Sequence, residues 1–496
     1  MDSPPTPSFQ PQYRHSGESR NPETPANHRR IYPLSPRDLT EEQIAVTFAM
    51  TSRSPEPFDE IARRVTEESA ASFNERWVVG YGHASVAEHA VLHLAVENVS
   101  RLACDTLEDN RLASYTEKSS RYQVIDPDSF HVPQELDSSP ALRETYVTAC
   151  RNLFTTYHQL LDGVFDHLGR TSPQRENERD SAYNLRLRRL ATDACRAILP
   201  AATLTNVGVT ANARTLEHAI TKLMSSVLQE ERDIGMELRE QGRSITPTLV
   251  KYADHNPYLA GLQASSDDMH SGADANLETS VALLDYDRDA PQKVAAALLF
   301  RNGGSYSEAL AQSAALSEED RLALIHDAVR SIGPHDPAPR EFELVGYTFE
   351  FTFDYGALRE FRRHRMQTYL SQSLTTANGY HVPNLIWDAG LEPLFDSAIS
   401  GADSVFDELK STCGGPALAQ YLVTHSHYQR VLSRLSLREC YHLFKLRASL
   451  QAHEAIRLPI IEALRLAVDV QPELFRYLPL RNAPDWWPFT GRSSPV

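Results

Sequence analysis

Two stretches of the chain gather side chains able to hold an anion. In EFRRHRMQTYLSQS, Arg362, Arg363, His364 and Arg365 stand in a row. Guanidinium presents a fixed fork of donors suited to phosphate or carboxylate, and imidazole titrates near neutrality. Most charge runs are solvated faces, but the apolar Tyr369 and Leu370 that follow place this one inside a folded unit. In EDNRLASYTEKSSRYQ, Glu117, Ser119 and Arg121 fall at alternate positions. Alternate side chains of an extended segment point the same way, so a carboxylate, a hydroxyl and a guanidinium would converge on a polar, anionic ligand. Glu117 and Arg121 could equally be a surface ion pair of little energy.

A third stretch, GYGHASVAEHA, admits three readings. Ser85, three residues before Glu88, spells a capping box and a plain helix start. The free N–H groups of such a start could face a phosphate. His83, Glu88 and His89 could ligate a metal, although helical ligand pairs usually stand three or four apart to share a face.

The elements that must position these groups occur twice. VLHLAVEN and YTFEFTFD alternate apolar and polar residues as half-buried strands do. Each leads into a short charged helix ending in Arg, at Arg111 and Arg365, and each Arg is followed eight residues on by Ser, at Ser119 and Ser373. His-Val-Pro occurs at 131–133 and 381–383, and Arg-x-x-x-His begins at Arg214 and Arg438. The spacing between the matching positions drifts from 254 through 250 to 224, as two diverged copies with loop insertions would give. The expected organisation is a disordered N-terminal tail (1–36), copy one (37–253), a polar linker (254–277), copy two (278–482) and a C-terminal tail (483–496) onto which Trp486 and Trp487 could fold.

Composition bounds the function. The chain has 496 residues, 41% of them hydrophobic and 23% charged, with a net charge of −17. This is a globular balance, and an acidic surface disfavours nucleic-acid polymers and membranes as partners. The five cysteines include no CxxC pair and no apolar run is long enough to span a bilayer, so the expected location is a reducing cytoplasm.

The first block, GHASVAEHAVLHLAVENVSRLACDTLEDNRLASYTEKSSRYQ, resembles the flavin-dependent thymidylate synthases. RRHRMQTYLSQS in the second is similar to that family's signature of Arg-His-Arg, seven residues and Ser. CRAILPAATLTNVGVTANARTLEHA and RECYHLFKLRASLQAHEA resemble its later Asn-Ala-Arg helix. The resemblance implies an α+β fold, two tandem copies each with an antiparallel sheet and long helices. It implies sites shared between subunits, with dUMP converted to dTMP using FAD, NADPH and methylenetetrahydrofolate. It assigns His83, Ser85 and Glu88 to flavin and folate, and Glu117, Ser119, Arg121 and Arg196 to dUMP. Asn212, Arg214 and Arg438 are implied at flavin, Arg363, His364 and Arg365 at flavin and dUMP, and Arg447 at dUMP. No metal is implied, and two double-length chains would reproduce the family's four units as a homodimer.

The copies depart from that pattern in complementary ways. Copy one has Asp109-Asn110-Arg111 for the basic triplet and Leu223 for Arg447. Copy two has Gly303 and Ala309 for His83 and His89, Ser371 for Glu117, Thr375 for Arg121 and Gln420 for Arg196. The expectation is one surviving composite site, with Ser119 and Arg363 orienting the pyrimidine, Arg121 and Arg447 holding phosphate, and His364 and Arg214 at flavin. His83 joins Ser119 and Arg363 as a catalytic candidate. The alternatives are a pseudoenzyme that binds flavin or nucleotide without methylating, a structural protein, and a metal-dependent hydrolase built on His83, Glu88 and His89.

Overall fold

The computed structural model describes residues 29–52, 54–267, 277–411 and 415–489. The fold is α+β, with two antiparallel sheets. The first sheet contains β1 (Val91–Ser100), β2 (Ala113–Glu117) and β3 (Leu204–Asn212) in the order β1-β3-β2. The second contains β4 (Ser280–Tyr286), β5 (Gly346–Asp354), β6 (Thr368–Ser371) and β7 (Tyr428–Ser436) in the order β4-β5-β7-β6. β1 is half-buried, but β5 is covered on both faces, with Phe349, Phe351, Phe353 and Thr352 all buried.

Strands become helices at polar caps. Ser100 accepts from the Ala103 amide and Asp354 from the Ala357 amide, opening the helices Arg101–Glu108 and Tyr355–Phe361. Asn212 and Ser436 cap Ala213–Met224 and Leu437–Arg447 in the same way. Each side-chain oxygen satisfies an amide that the first helical turn leaves without a partner. The two charged helices stop at Glu108 and Phe361, short of the Arg residues expected to end them, so Arg111 and Arg363 to Arg365 lie in the turns beyond.

The two sheets share one register. Ser100 pairs with Leu204 as Asp354 pairs with Tyr428, and Glu117 pairs with Val207 as Ser371 pairs with Val431. These pairs preserve the spacings of 254 and 224 seen in the sequence. A bulge between Val96 and Val99, with Asn98 at φ 57°, adds one residue to β1, the local twist that a β-bulge introduces.

This register corrects one sequence expectation. The short 3-10 helix Ala84–His89 precedes β1, and its equivalent before β5 is the 3-10 helix Arg340–Leu344. Glu343 therefore matches Glu88, and both bond the equivalent arginine, Arg438 or Arg214. Gly303 precedes and Ala309 lies on the helix Tyr306–Ala315, a different element that was matched because a Ser-x-x-Glu cap looks alike wherever it occurs.

The copies pair within one chain. Ala201 N–H donates to Val423 O and His425 N–H to Leu199 O, at 2.8 and 3.0 Å. Ala202 N–H donates to Tyr421 O and Ser426 N–H to Ala197 O, at 2.8 and 2.9 Å. Each pair exchanges residues 224 apart, so a pseudo-twofold axis runs between these two segments. One hydrophobic core spans both copies, and the helices Pro140–Thr171 and Glu392–Lys410 pack on each other.

Residues 1–28 of the expected tail lie outside the described residues, but Arg30 and Tyr32 are anchored to Asp59. The expected linker contains a helix, Pro257–Asp267, and its residues 268–276 lie outside the described ones. Trp486, Trp487 and Phe489 pack against the core. No described helix is long and apolar enough to cross a membrane.

Candidate functional site

Arginines from both copies converge at the interface. Arg121 donates two parallel bonds to Asp193, Nε to Oδ1 and Nη2 to Oδ2, both 2.9 Å. Arg196, at the end of the helix Asp180–Cys195, lies 3.4 Å from the same carboxylate and donates to Glu360 Oε1 at 3.2 Å. Arg447, at the end of the helix Leu437–Arg447, donates to Glu360 Oε2 and to its backbone oxygen, each at 3.2 Å. His453 stands 3.6 Å from Asp193. Burial opposes ionisation of Asp193, but the Arg121 bonds and the Arg196 charge outweigh it and lower its pKa. Glu360 is lowered in the same way, burial being overcome by Arg196, Arg121 and Arg447. Burial, then Arg196, depresses His453 to about 4, so it is neutral at physiological pH.

Glu117 ends β2 with its side chain 4% exposed. Arg101 of copy one and Arg359 of copy two donate to Oε1 at 2.9 and 2.7 Å, and Thr205 adds a bond at 3.0 Å. Burial raises its pKa, but Arg359 and Arg101 prevail and hold it at about 2. Glu117 is therefore no partner of Arg121, contrary to the surface ion-pair reading. Its other oxygen lies 3.8 Å from Arg363, whose side chain is 57% exposed. A 290 Å³ pocket opens here, lined by Tyr115, Glu117, Arg362, Arg363 and Arg365 among others. Arg365 is steadied by the backbone oxygen of Arg111 at 2.9 Å. The Ser119 hydroxyl, on the loop just beyond β2, accepts from the Arg121 amide at 3.3 Å.

His364 joins this cluster to a second, larger cavity. Its Nε2 accepts from Arg447 Nε at 2.9 Å, and its Nδ1 faces Glu439 Oε1 at 3.4 Å. Burial, then the Arg447 charge, lowers its pKa to about 3. Glu439 and His442, one turn apart on the same helix, line a 540 Å³ cavity with Arg438, Met366, Tyr441 and Ile332. Burial pushes Glu439 up to about 7, against His442 and Arg438. His364 Nδ1 and Glu439 Oε1 are both buried without a hydrogen-bond partner. His364, Glu439 and His442 place their ligand atoms within 4.8 Å of one another. A metal would need the Nδ1 lone pair, whereas the Arg447 bond keeps the proton there; the set fits hydrogen bonding better.

The remaining candidates lie elsewhere. Glu88 pairs with Arg214, and Asn212 is occupied as a helix cap. Val207, opposite Glu117, and Asn212 stand five residues apart on β3, or about 17 Å at the usual rise. The segment Ala84–His89 is a 3-10 helix that His83 begins without a side-chain bond, so the expected capping box does not form. The His83 ring lies near Trp77 and His89 packs on Phe48. Among the described residues, His83, Glu88 and His89 are not one of the groups spaced to hold a metal. None of Ser85, Glu88, Asn212 or Arg214 lines the 540 Å³ cavity, whereas Arg438 does.

The family model described as thymidylate synthase complementing protein matches twice, at residues 37–248 and 282–473. The chain belongs to that family. A UPF0159 protein of Chlamydia muridarum is 31% identical over 431 residues, covering 83% of this chain and 80% of that one. A UPF0159 protein of Thermoplasma acidophilum is 28% identical, covering 82% and 88%. A flavin-dependent thymidylate synthase of Clostridium tetani is 27% identical over 214 residues, which is 43% of this chain and 82% of the relative. Among solved structures, the UMP/dUMP methylase PolB of Streptomyces cacaoi bound with 5-Br dUMP covers 41% of this chain and 96% of its own, at 16% identity and a TM-score of 0.33.

The first family match contains the first sheet and the second all but the first two residues of the second sheet, and the arginine cluster draws on both. Sequence reasoning missed Asp193, Arg359, Glu360, Glu439, His442 and His453. Asp193 stands three residues before Arg196, Glu360 three before Arg363, and Glu439 beside Arg438. On a helix, residues three apart are neighbours, and that spacing was the signal available.

Proposed function

We propose that the chain catalyses reductive methylation of dUMP to dTMP at one composite site between its two copies. The observation that carries this reading is the junction of the copy-one loop (Glu117, Ser119, Arg121) and Arg196 with copy-two Arg363, His364 and Arg447. Family membership supports the reaction class, and the 27% identical flavin-dependent thymidylate synthase supports flavin as the redox group.

Flavin fits the 540 Å³ cavity. Apolar Ile332, Pro337 and Tyr441 can cover a planar ring, while Arg438 and His442 offer polar groups at its edge. Glu439 lines this cavity, with His364 buried behind it at 3.4 Å. When bound, FAD reduced by NADPH supplies the hydride, and methylenetetrahydrofolate supplies the carbon. The protein positions and neutralises charge. Arg363 and Ser119 orient the pyrimidine, with Arg365 at the rim of the smaller pocket. Arg121, Arg196 and Arg447 hold the phosphate, and Glu117 keeps two buried arginines in place. Neutral His364 donates from Nδ1 and fixes Arg447 through Nε2. Glu439, with its pKa near 7, can hold or release a proton at the cavity wall. The copy-one set His83, Ser85, Glu88, Asn212 and Arg214 remains at the surface to complete a neighbouring chain's cavity, which makes the active species a homodimer.

Arg363→Ala should abolish dUMP binding and NADPH-dependent tritium release from labelled dUMP, and Arg121→Ala should weaken dUMP binding several-fold and slow that release. Asp109→Ala and Thr375→Ala should leave both intact. Unchanged binding in both arginine variants would refute the composite site, and dUMP binding with no tritium release from the flavin-loaded wild type would favour a pseudoenzyme.

A further inference from the structure

The arginines assigned to phosphate already hold two carboxylates. Arg121 gives both parallel donors to Asp193, and Arg196 and Arg447 share Glu360. A bidentate fork committed to a carboxylate has the geometry that it would offer a phosphate. Both acids are ionised and His453 is neutral, so three cations face two anions. The pseudo-equivalent place supports reading these acids as part of the site. There Arg121, Arg196 and Arg447 become Thr375, Gln420 and Leu223, while Asp193 and Glu360 become Ala417 and Thr106 at the same spacings. Cations and acids are absent together.

The two acids differ in freedom. The Glu360 side chain is 7% exposed and bonded to arginines of both copies, whereas Asp193 is 24% exposed on the last turn of its helix. Arg189, exposed and four residues earlier on that helix, is within reach of a displaced Asp193.

We propose that Asp193 sets how much a 5′-phosphate contributes to binding: it is an internal counter-anion that occupies the Arg121 fork and yields it only to a ligand bearing a phosphate monoester. This rests on the nucleotide reading above and adds to it. The phosphate exchanges one carboxylate for itself instead of filling an open seat. In the wild type the 5′-phosphate therefore adds little affinity, and dUMP and deoxyuridine bind within about tenfold of each other. Arg121, released by removing the Asp193 charge, would favour the nucleotide strongly.

Titration calorimetry of dUMP and deoxyuridine with the full chain and its variants tests this. Asp193→Asn, which preserves shape and removes charge, should tighten dUMP at least tenfold and leave deoxyuridine within twofold. Asp193→Glu, which keeps the charge, should retain the small wild-type preference; circular dichroism confirms that each variant is folded. If wild type prefers dUMP by a hundredfold or more, or Asp193→Asn does not tighten it, the counter-anion role is wrong while the nucleotide reading survives. If neither compound binds wild type or Asp193→Asn, the nucleotide reading itself falls, and the proposal with it.

Discussion

The two pseudo-equivalent places where a copy-one segment meets a copy-two segment have diverged in opposite directions. At one, Arg121, Arg196 and Arg447 hold Asp193 and Glu360, and Arg363 lines a pocket beside buried Glu117. At the other the matching residues are Thr375, Gln420, Asp109 and Leu223. That second place is closed by local bonds. Leu223 is fully buried, Gln420 accepts from the Leu374 amide at 2.9 Å, and Tyr369 donates to Asp109 at 2.8 Å. Buried arginines must be held by anions, since a charge left unpaired is far costlier than a neutral side chain. A duplicated chain that keeps one site therefore has reason to lose the cations and the acids of the other together.

The largest test of this contrast is Glu117→Gln. It leaves buried Arg101 and Arg359 short of an anion and should cost about 3–5 kcal/mol in urea unfolding. Ser371→Ala, at the equivalent position, should stay within about 0.5 kcal/mol. Equal costs would mean that the two places do not differ in the way described.

Ligand affinity sharpens the comparison next. Arg447→Met retains packing and removes a charge-assisted contact that Glu360 already engages, so the dUMP dissociation constant should rise several-fold in calorimetry, up to about tenfold. Leu223→Met should leave it unchanged within twofold.

The smallest effect is in pH dependence. His453 is depressed to about 4 by burial first and Arg196 second, and His364 to about 3 by burial and Arg447. An unfolded His titrates near 6.5. Below that pH the unfolded chain takes protons that the fold refuses, so stability is lost as pH falls from about 6.5 toward these values. Glu439, raised to about 7, and Glu231 and Asp354, raised to about 6, mainly by burial, act in the opposite sense. The difference between wild type and His453→Gln isolates one group: the variant should lose less Tm between pH 7 and pH 5. An identical loss would place His453 outside the buried cluster.

Much of the scaffold was legible because it is local. Alternation marked β1 and β5, and the repeated Arg-to-Ser and His-Val-Pro spacings reappear as matched strand registers. Legibility stopped where different local patterns share one appearance. Ser85-x-x-Glu88 and Ser305-x-x-Glu308 both spell a capping box; the second forms one, while Glu88 turns instead to Arg214. The alternation of Glu117, Ser119 and Arg121 suggested one converging face, but β2 ends at Glu117, which then turns inward to Arg101 and Arg359.

By itself the sequence determined β1 and β5, the short helices that follow them, the duplication and the arginine inventory, because hydrophobic period and residue spacing act over a few neighbours. Only the tertiary structure decided which groups meet. It placed Asp193 on Arg121, Glu360 between Arg196 and Arg447, and His364 between Arg447 and Glu439. Those contacts join residues up to 164 positions apart. They depend on two copies folding back across one axis, and burial then fixes which of their charges survive.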